Sequence, residues 1–285
     1  VPWAIRFWGT RGSIPAPGPG TVRYGGNTAC LELVAPDGRR LVLDAGTGIR
    51  SLGLALPPSA RDPVVILLSH THWDHIQGLP FFAPLYRPEA TVSIIGPAPA
   101  TGRLGDVLRD QMGAAVFPVS LSAWTATLDV REVAEGAFEA GGFSVKALHL
   151  CHPGTTLGYR IGIQPGSPEL AYLTDNEIAG WDAPDRRARL VRFLHACDTM
   201  IHDAMYLSNR GAGRRGWGHS TAAEAVRLAS EARVNRLVLF HHDPEHTDDD
   251  LERLLTEAEQ VRADSGGRFD IQIAAEGVAL GPAGG

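Results

Sequence analysis

Between positions 70 and 75 the chain reads His-Thr-His-Trp-Asp-His, which crowds His70, His72, Asp74 and His75 just behind an aliphatic run. Imidazole and carboxylate are groups that bind zinc, at about 2.0–2.2 Å. Alternate residues of an extended turn, such as His70 and His72, can point the same way and chelate one ion. Asp74 and His75 then face a neighbouring position. Two ions roughly 3.5–4 Å apart would each need a further histidine and would share a carboxylate. The chain offers these later, as His152 in "CHPG", Asp175 in "LTDNE", and His241 or His242 in "LFHHDPEH". One histidine in such a loop reads as solvated. A cluster of this density, with further donors downstream, reads as a metal site.

Something must carry these residues to one place. Short strand patterns recur as "AIRFWG", "CLELVA", "RLVLDAG", "VVILLS", "TVSIIG", "FSVKALHL", "TLGYRIGI", "LAYLTD" and "RLVLFHH". Metal-capable residues follow them directly: Asp44 after "LVL", His70 after "VVILLS", His152 after "VKALHLC", Asp175 after "LAYLT", His241 after "RLVLF". Functional side chains gather on loops beyond strand ends, so strands sharing one edge would bring them together. Helical patterns fall later in the chain. Residues 220–233 open with Thr221 and Glu224 at capping-box spacing, 248–262 start with acids and carry Leu251, Leu254, Leu255 and Ala258 on one face, and 186–198 read as a third helix. Strands first and mixed elements afterwards predict packed sheets with helices outside, in a single domain over 1–285.

Composition sets the outer limits. The chain of 285 residues is 44% hydrophobic and 20% charged, which fits a folded protein with a substantial core. Its net charge of −6 argues against a protein that lives on nucleic-acid backbones. Cys30, Cys151 and Cys197 form neither a disulfide framework nor a zinc-cysteine spacing, so a reducing, cytoplasmic setting is expected. The first residues have no signal-peptide pattern, and no run approaches the roughly 20 apolar residues of a membrane span.

The stretch His70-Thr71-His72-Trp73-Asp74-His75 resembles the signature of the metallo-β-lactamase superfamily. The likeness extends through "WGTRGSIP", "YGGNTACLEL", "LVLDAGTGI", "GWGHST" and "LVLFHHDP", and is strongest toward the ribonuclease Z and cyclic-nucleotide phosphodiesterase branch. It implies an α/β (α+β type) fold, a four-layer αββα sandwich, with a dinuclear site holding two Zn²⁺, or Mn²⁺ or iron in their place. By match, His70, His72 and His152 would hold the first metal, and Asp74, His75 and His241 the second, with Asp175 bridging. His242 stays open as the alternative to His241. His149 reads as a strand residue or as a group behind the metal ligands.

A metal-bridging hydroxide at such a site attacks phosphodiesters, and equally lactones, thioesters or β-lactams. His219 in "GWGHST" precedes a capped helix; in the ribonuclease Z-like branch the matching element is thought to contact the phosphate or protonate the leaving group. Asp74 would orient the nucleophile. Asp44 and Asp203 are candidates for orienting ligand histidines. The expected function is a phosphodiesterase for a cyclic nucleotide or short oligonucleotide. A carboxyl-type hydrolase on the same site and a non-catalytic metal-binding module are the alternatives. Residues 97–150 lack the basic, glycine-rich arm that ribonuclease Z enzymes use to grip transfer RNA, which argues against that substrate. A homodimer is the default assembly, with no membrane partner.

Overall fold

Val64, Val65, Ile66 and Leu67 follow one another in a single strand, yet all are buried. Strand side chains alternate between faces, so such a run must be covered on both. The computed structural model, which describes residues 3–57, 63–163, 166–181, 183–208 and 213–283, shows the two covers. Val65 and Leu67 join the core between two sheets, while Val64 and Ile66 join a second core beneath outer helices.

The first sheet is built from β1 (Ala4–Gly9), β2 (Cys30–Val34), β3 (Arg40–Leu43), β4 (Val64–Leu67), β5 (Thr91–Pro97) and β6 (Thr127–Val133). The helices α1 (Gly48–Ala55), α2 (Trp73–Ile76) and α3 (Leu104–Asp110) fall between its later strands. The second sheet runs through β7 (Gly136–Ala140), β8 (Phe143–His149), β9 (Leu157–Gly162), β10 (Glu169–Leu173), β11 (Thr199–Asp203), β12 (Arg236–Phe240) and β13 (Asp270–Ile273). It is interleaved with α4 (Pro184–Leu194), α5 (Ala222–Ala232) and α6 (Asp248–Asp264); β14 (Ala279–Leu280) returns to pair with β1.

Each sheet begins as an antiparallel meander and continues with parallel strands. In the first, β1–β2–β3 alternate and β3–β4–β5–β6 run parallel. In the second, β7–β8–β9–β10 alternate and β10–β11–β12–β13 run parallel. Phe7, Leu31 and Leu43 from one sheet meet Val145, Tyr159 and Phe240 from the other. Leu190, Val226 and Leu254 of α4, α5 and α6 cover the second sheet's outer face. The layers are helices, sheet, sheet and helices, as the resemblance implied.

Thr221 caps α5 in a reciprocal pair with Glu224, as the spacing predicts, and Thr247 caps α6 with Asp250 in the same way. The third helix is displaced from its expected 186–198. It starts at Pro184, whose missing N–H suits a first turn, and stops at Leu194, because Ala196 turns left-handed (φ 53°) toward β11.

Candidate metal centre

Parallel pairing sets the C-terminal ends of β3 and β4 side by side, and likewise those of β10, β11 and β12. Asp44, His70, Asp175, Asp203 and His241 stand at or just beyond these ends. Asp44, Asp175 and His241 adopt left-handed φ values of 58°, 50° and 60°. Non-glycine residues are strained there, and such strain concentrates where a site requires a particular side-chain direction. His72 is the extended N-cap of the short helix α2, on which Asp74 and His75 follow.

Asp175 lies at the middle of what results. Its Oδ2 is 3.7 Å from His70 Nε2 and 3.6 Å from His152 Nε2. Its Oδ1 is 3.1 Å from both His75 Nε2 and His241 Nε2. Donor atoms of His70, His72, His152 and Asp175 all lie within 4.8 Å of one another, as do those of Asp74, His75, Asp175 and His241. Every residue expected at the metals from the sequence is therefore brought to one place.

Hydrogen bonds behind the rings fix which nitrogen faces inward. Ser69 Oγ donates to Asp44 Oδ2 (2.8 Å) and so can accept from His70 Nδ1 (3.0 Å). His75 Nδ1 lies 2.8 Å from Asp44 Oδ2, and His152 Nδ1 lies 3.1 Å from the Gly218 carbonyl, which can only accept. These partners hold the Nδ1 protons and leave each Nε2 aimed at the cluster. His70 Nε2 is buried and makes no hydrogen bond among the described residues, while His75 Nε2 is buried with only carboxylates beside it, Asp175 Oδ1 at 3.1 Å and Asp74 Oδ2 at 3.2 Å. An orphaned buried polar atom costs about 1–3 kcal/mol unless something takes its lone pair. Across the gap, His72 Nδ1 and His152 Nε2 approach to 3.0 Å. Inward-facing ring nitrogens, a shared carboxylate and an unpartnered buried acceptor suit divalent cations.

Electrostatics separates the imidazoles. Burial, with the neighbouring histidines, holds His70 well below the usual imidazole range. Burial also pulls His75 down, but Asp74, Asp175 and Asp44 outweigh it and raise its pKa well above normal. The Nε2 of His75 thus carries either a proton or a cation.

His219 sits at the seam. Its ring stacks on His241 (centroids 5.1 Å, 19°) and meets His152 edge-on at 5.3 Å. Its Nδ1 is 2.7 Å from Asp203 Oδ2, while Asp203 Oδ1 accepts from the backbone N–H groups of Met205 and Ser220. Burial lowers the His219 pKa, yet Asp203 more than offsets this and lifts it to about 9.

The alternatives at neighbouring positions resolve by geometry. His242 is buried away from the cluster, its Nε2 2.9 Å from the Ala274 carbonyl, and burial drives its pKa down to about 3. His149 ends β8 with its side chain exposed. Trp181 packs in the second sheet's outer core and donates to Asn176 Oδ1, and Asn27 is tied to Glu276.

Some contributors had no signature of their own. The Ser13 N–H donates to Asp74 Oδ2 at 2.7 Å, and Tyr172 OH donates to Asp44 Oδ2 at 2.7 Å. The only signal for the first was the glycine-rich "WGTRGS", where a Cβ on Gly12 would stand 2.3 Å from His241 Cε1. Gly218 (φ 87°) is equally constrained, since a Cβ there would lie 2.0 Å from His152 Nδ1.

Residues 39–242 match the family model described as the beta-lactamase superfamily domain. The chain belongs to the beta-lactamase superfamily. It is a hydrolase of the metallo-β-lactamase kind, on a fold that implies divalent metals. The chain is similar to a ribonuclease Z from Natronomonas pharaonis, 25% identical over 83% of this chain and 86% of that protein. Among solved structures, the metallo-beta-lactamase fold protein YhfI from Bacillus subtilis superposes with a TM-score of 0.71 at 21% identity, covering 98% of this chain and 100% of that one. The short form of human tRNase Z superposes with a TM-score of 0.65 at 20% identity, covering 97% and 98%.

These relatives overturn the expectation that transfer RNA is disfavoured as a substrate, because enzymes named ribonuclease Z match most of this chain. That expectation leaned on the missing basic arm and the net charge of −6. A missing arm removes one way of holding RNA and leaves the metal-ligand cluster unchanged. Net charge sums the whole surface and does not give the local field, which beside His219 includes Arg214, Arg215 and Arg227 against Glu177 and Glu224.

Proposed function

We infer that this superfamily member is a phosphodiesterase that cleaves RNA or shorter nucleotide chains with two divalent ions, zinc in the first instance. His70, His72 and His152 would hold one ion, and Asp74, His75 and His241 the other, with Asp175 common to both. When bound, such ions polarise the phosphoryl oxygens and lower the pKa of water from 15.7 to about 7.

The chain's own groups supply the rest. Asp74 is fixed by the Ser13 N–H, which donates to its Oδ2 at 2.7 Å, so its carboxylate is positioned to orient the attacking oxygen. Asp203 occupies Nδ1 of His219, which leaves Nε2 to hand a proton to the departing oxygen. General acid help of this kind contributes about 10²–10⁴-fold. The observation that carries the phosphodiester reading is this Asp203–His219 pair, stacked against His241 and edge-on to His152. Expelling an alkoxide from a phosphodiester needs a proton at that point.

The test offers Zn²⁺- or Mn²⁺-loaded protein bis(p-nitrophenyl)phosphate, a transfer-RNA precursor with a 3′ extension, and a lactone. The reading predicts cleavage of a phosphodiester bond. Rapid lactone hydrolysis with no phosphodiester turnover would overturn it.

A further inference from the structure

His219 borders a second space. A cavity of about 320 Å³ opens beside it, walled by Tyr206, Arg214, Arg215 and Arg227. That is the lower end of the range for small-molecule sites, roughly 300–1,000 Å³. Two carboxylates also line it, but both are engaged by the chain. Glu177 accepts from the N–H groups of Gly216 (2.8 Å) and Gly218 (2.9 Å), and Glu224 accepts from the N–H and hydroxyl of Thr221, each at 2.8 Å.

The three arginines are not equivalent. Arg214 is paired with Asp243 at 2.9 Å and lies over the Tyr206 ring, 4.9 Å from its centroid, so it builds a flat wall. Arg215 and Arg227 are exposed and form no ion pair among the described residues. Two uncommitted, exposed guanidinium groups lining a cavity that shares His219 with the metal cluster are placed to meet an anion. The guanidinium fork matches the oxygens of a phosphate.

We propose that this cavity is a phosphate subsite. Arg215 and Arg227 grip the phosphate one nucleotide away from the scissile diester, on the side that departs past His219, while Tyr206 and Arg214 flank the intervening sugar or base. The inference rests on the phosphodiesterase reading for its direction. It makes the enzyme selective for chains that carry a second phosphate one nucleotide beyond the scissile diester on its leaving side.

The substrates that test this are TpT, pTpT and TpTp, compared by kcat/KM in the metal-loaded enzyme and in the Arg215→Ala/Arg227→Ala double variant. Both positions are exposed, so the fold does not depend on them. Thymidine 3′,5′-bisphosphate, titrated calorimetrically into both proteins, gives a readout independent of turnover. One of the phosphorylated dinucleotides should be preferred over TpT, and the double variant should lose that preference by about 10- to 100-fold. The bisphosphate should bind the double variant more weakly by a similar factor. Arg189→Ala on α4, which removes an arginine paired with Glu135, should leave the preference intact.

An undiminished preference, or equal bisphosphate affinity in the two proteins, contradicts the subsite while leaving the phosphodiesterase reading in place wherever TpT is cleaved. Should no diester be cleaved, it is that reading that fails, and the calorimetric comparison alone decides the cavity.

Discussion

The two side-chain clusters that share Asp175 stand differently toward solvent. In the first, His72 is exposed and His152 half-buried, and three imidazoles face a single carboxylate oxygen. In the second, Asp74, His75, Asp175 and His241 are all buried, with two imidazoles and two carboxylates. The first is the accessible side, where a substrate can arrive. The second is an anchored, more negative pocket that favours a cation by charge alone. Asp44 ties them together from behind, reaching His75 directly and His70 through Ser69.

The strongest way to break this contrast is to remove what the clusters have in common. Asp175→Ala should abolish both sites. Bound metal should fall and phosphodiester turnover should drop by more than roughly 10⁴-fold, several kcal/mol for each ion. Plasma emission analysis and steady-state kinetics check it, and loss of only one ion would mean that the carboxylate is not shared.

Next comes the residue at the seam. His219→Ala should lower turnover of a ribonucleotide diester by about 10²- to 10³-fold, within the range of general acid catalysis. With p-nitrophenol leaving, which needs no proton, the loss should be much smaller. Equal losses on both substrates would remove the proton-donor role.

Asp44→Asn sharpens the contrast further. It keeps the shape but loses the charge that holds the His75 Nδ1 proton, and should weaken metal affinity or activity by about 10- to 100-fold. Competition with a chelator measures this. The second site should suffer more, because His70 is reached only through Ser69.

The smallest expected effect is in protons. His75 has a raised pKa in the ion-free chain, so at neutral pH a cation must displace its proton; His70, held low by burial, has none to lose. Loading the second site should therefore release about one proton more than loading the first. Its affinity should fall as pH decreases below the raised His75 pKa. Calorimetry in buffers of different ionisation enthalpy counts the protons.

These predictions draw unevenly on the sequence. The ligand residues were legible because four of them are dense in one stretch and the others follow aliphatic strands. The Thr221–Glu224 cap was legible because its chemistry is local. β11 was not read as a strand: its "TMIHD" ends in His202 and Asp203, whose polarity masks five buried positions. The alternating "TLDVREV" of β6 is half-exposed at a sheet edge and gives little contrast. A backbone donor such as the Ser13 N–H has no residue-type signature at all. The left-handed turns at Asp44, Asp175 and His241 are imposed by the sheets around them, since aspartate and histidine do not themselves demand φ above zero. Whole-chain charge concealed Arg215 and Arg227, which matter only once folding places them beside His219.

The central claim, that two cations sit on either side of one carboxylate, is tested most directly by anomalous diffraction from zinc-loaded crystals. The account predicts two peaks per chain, one bounded by His70, His72 and His152, the other by Asp74, His75 and His241, with Asp175 between them. A single peak, or peaks that leave Asp175 uncoordinated, would contradict it.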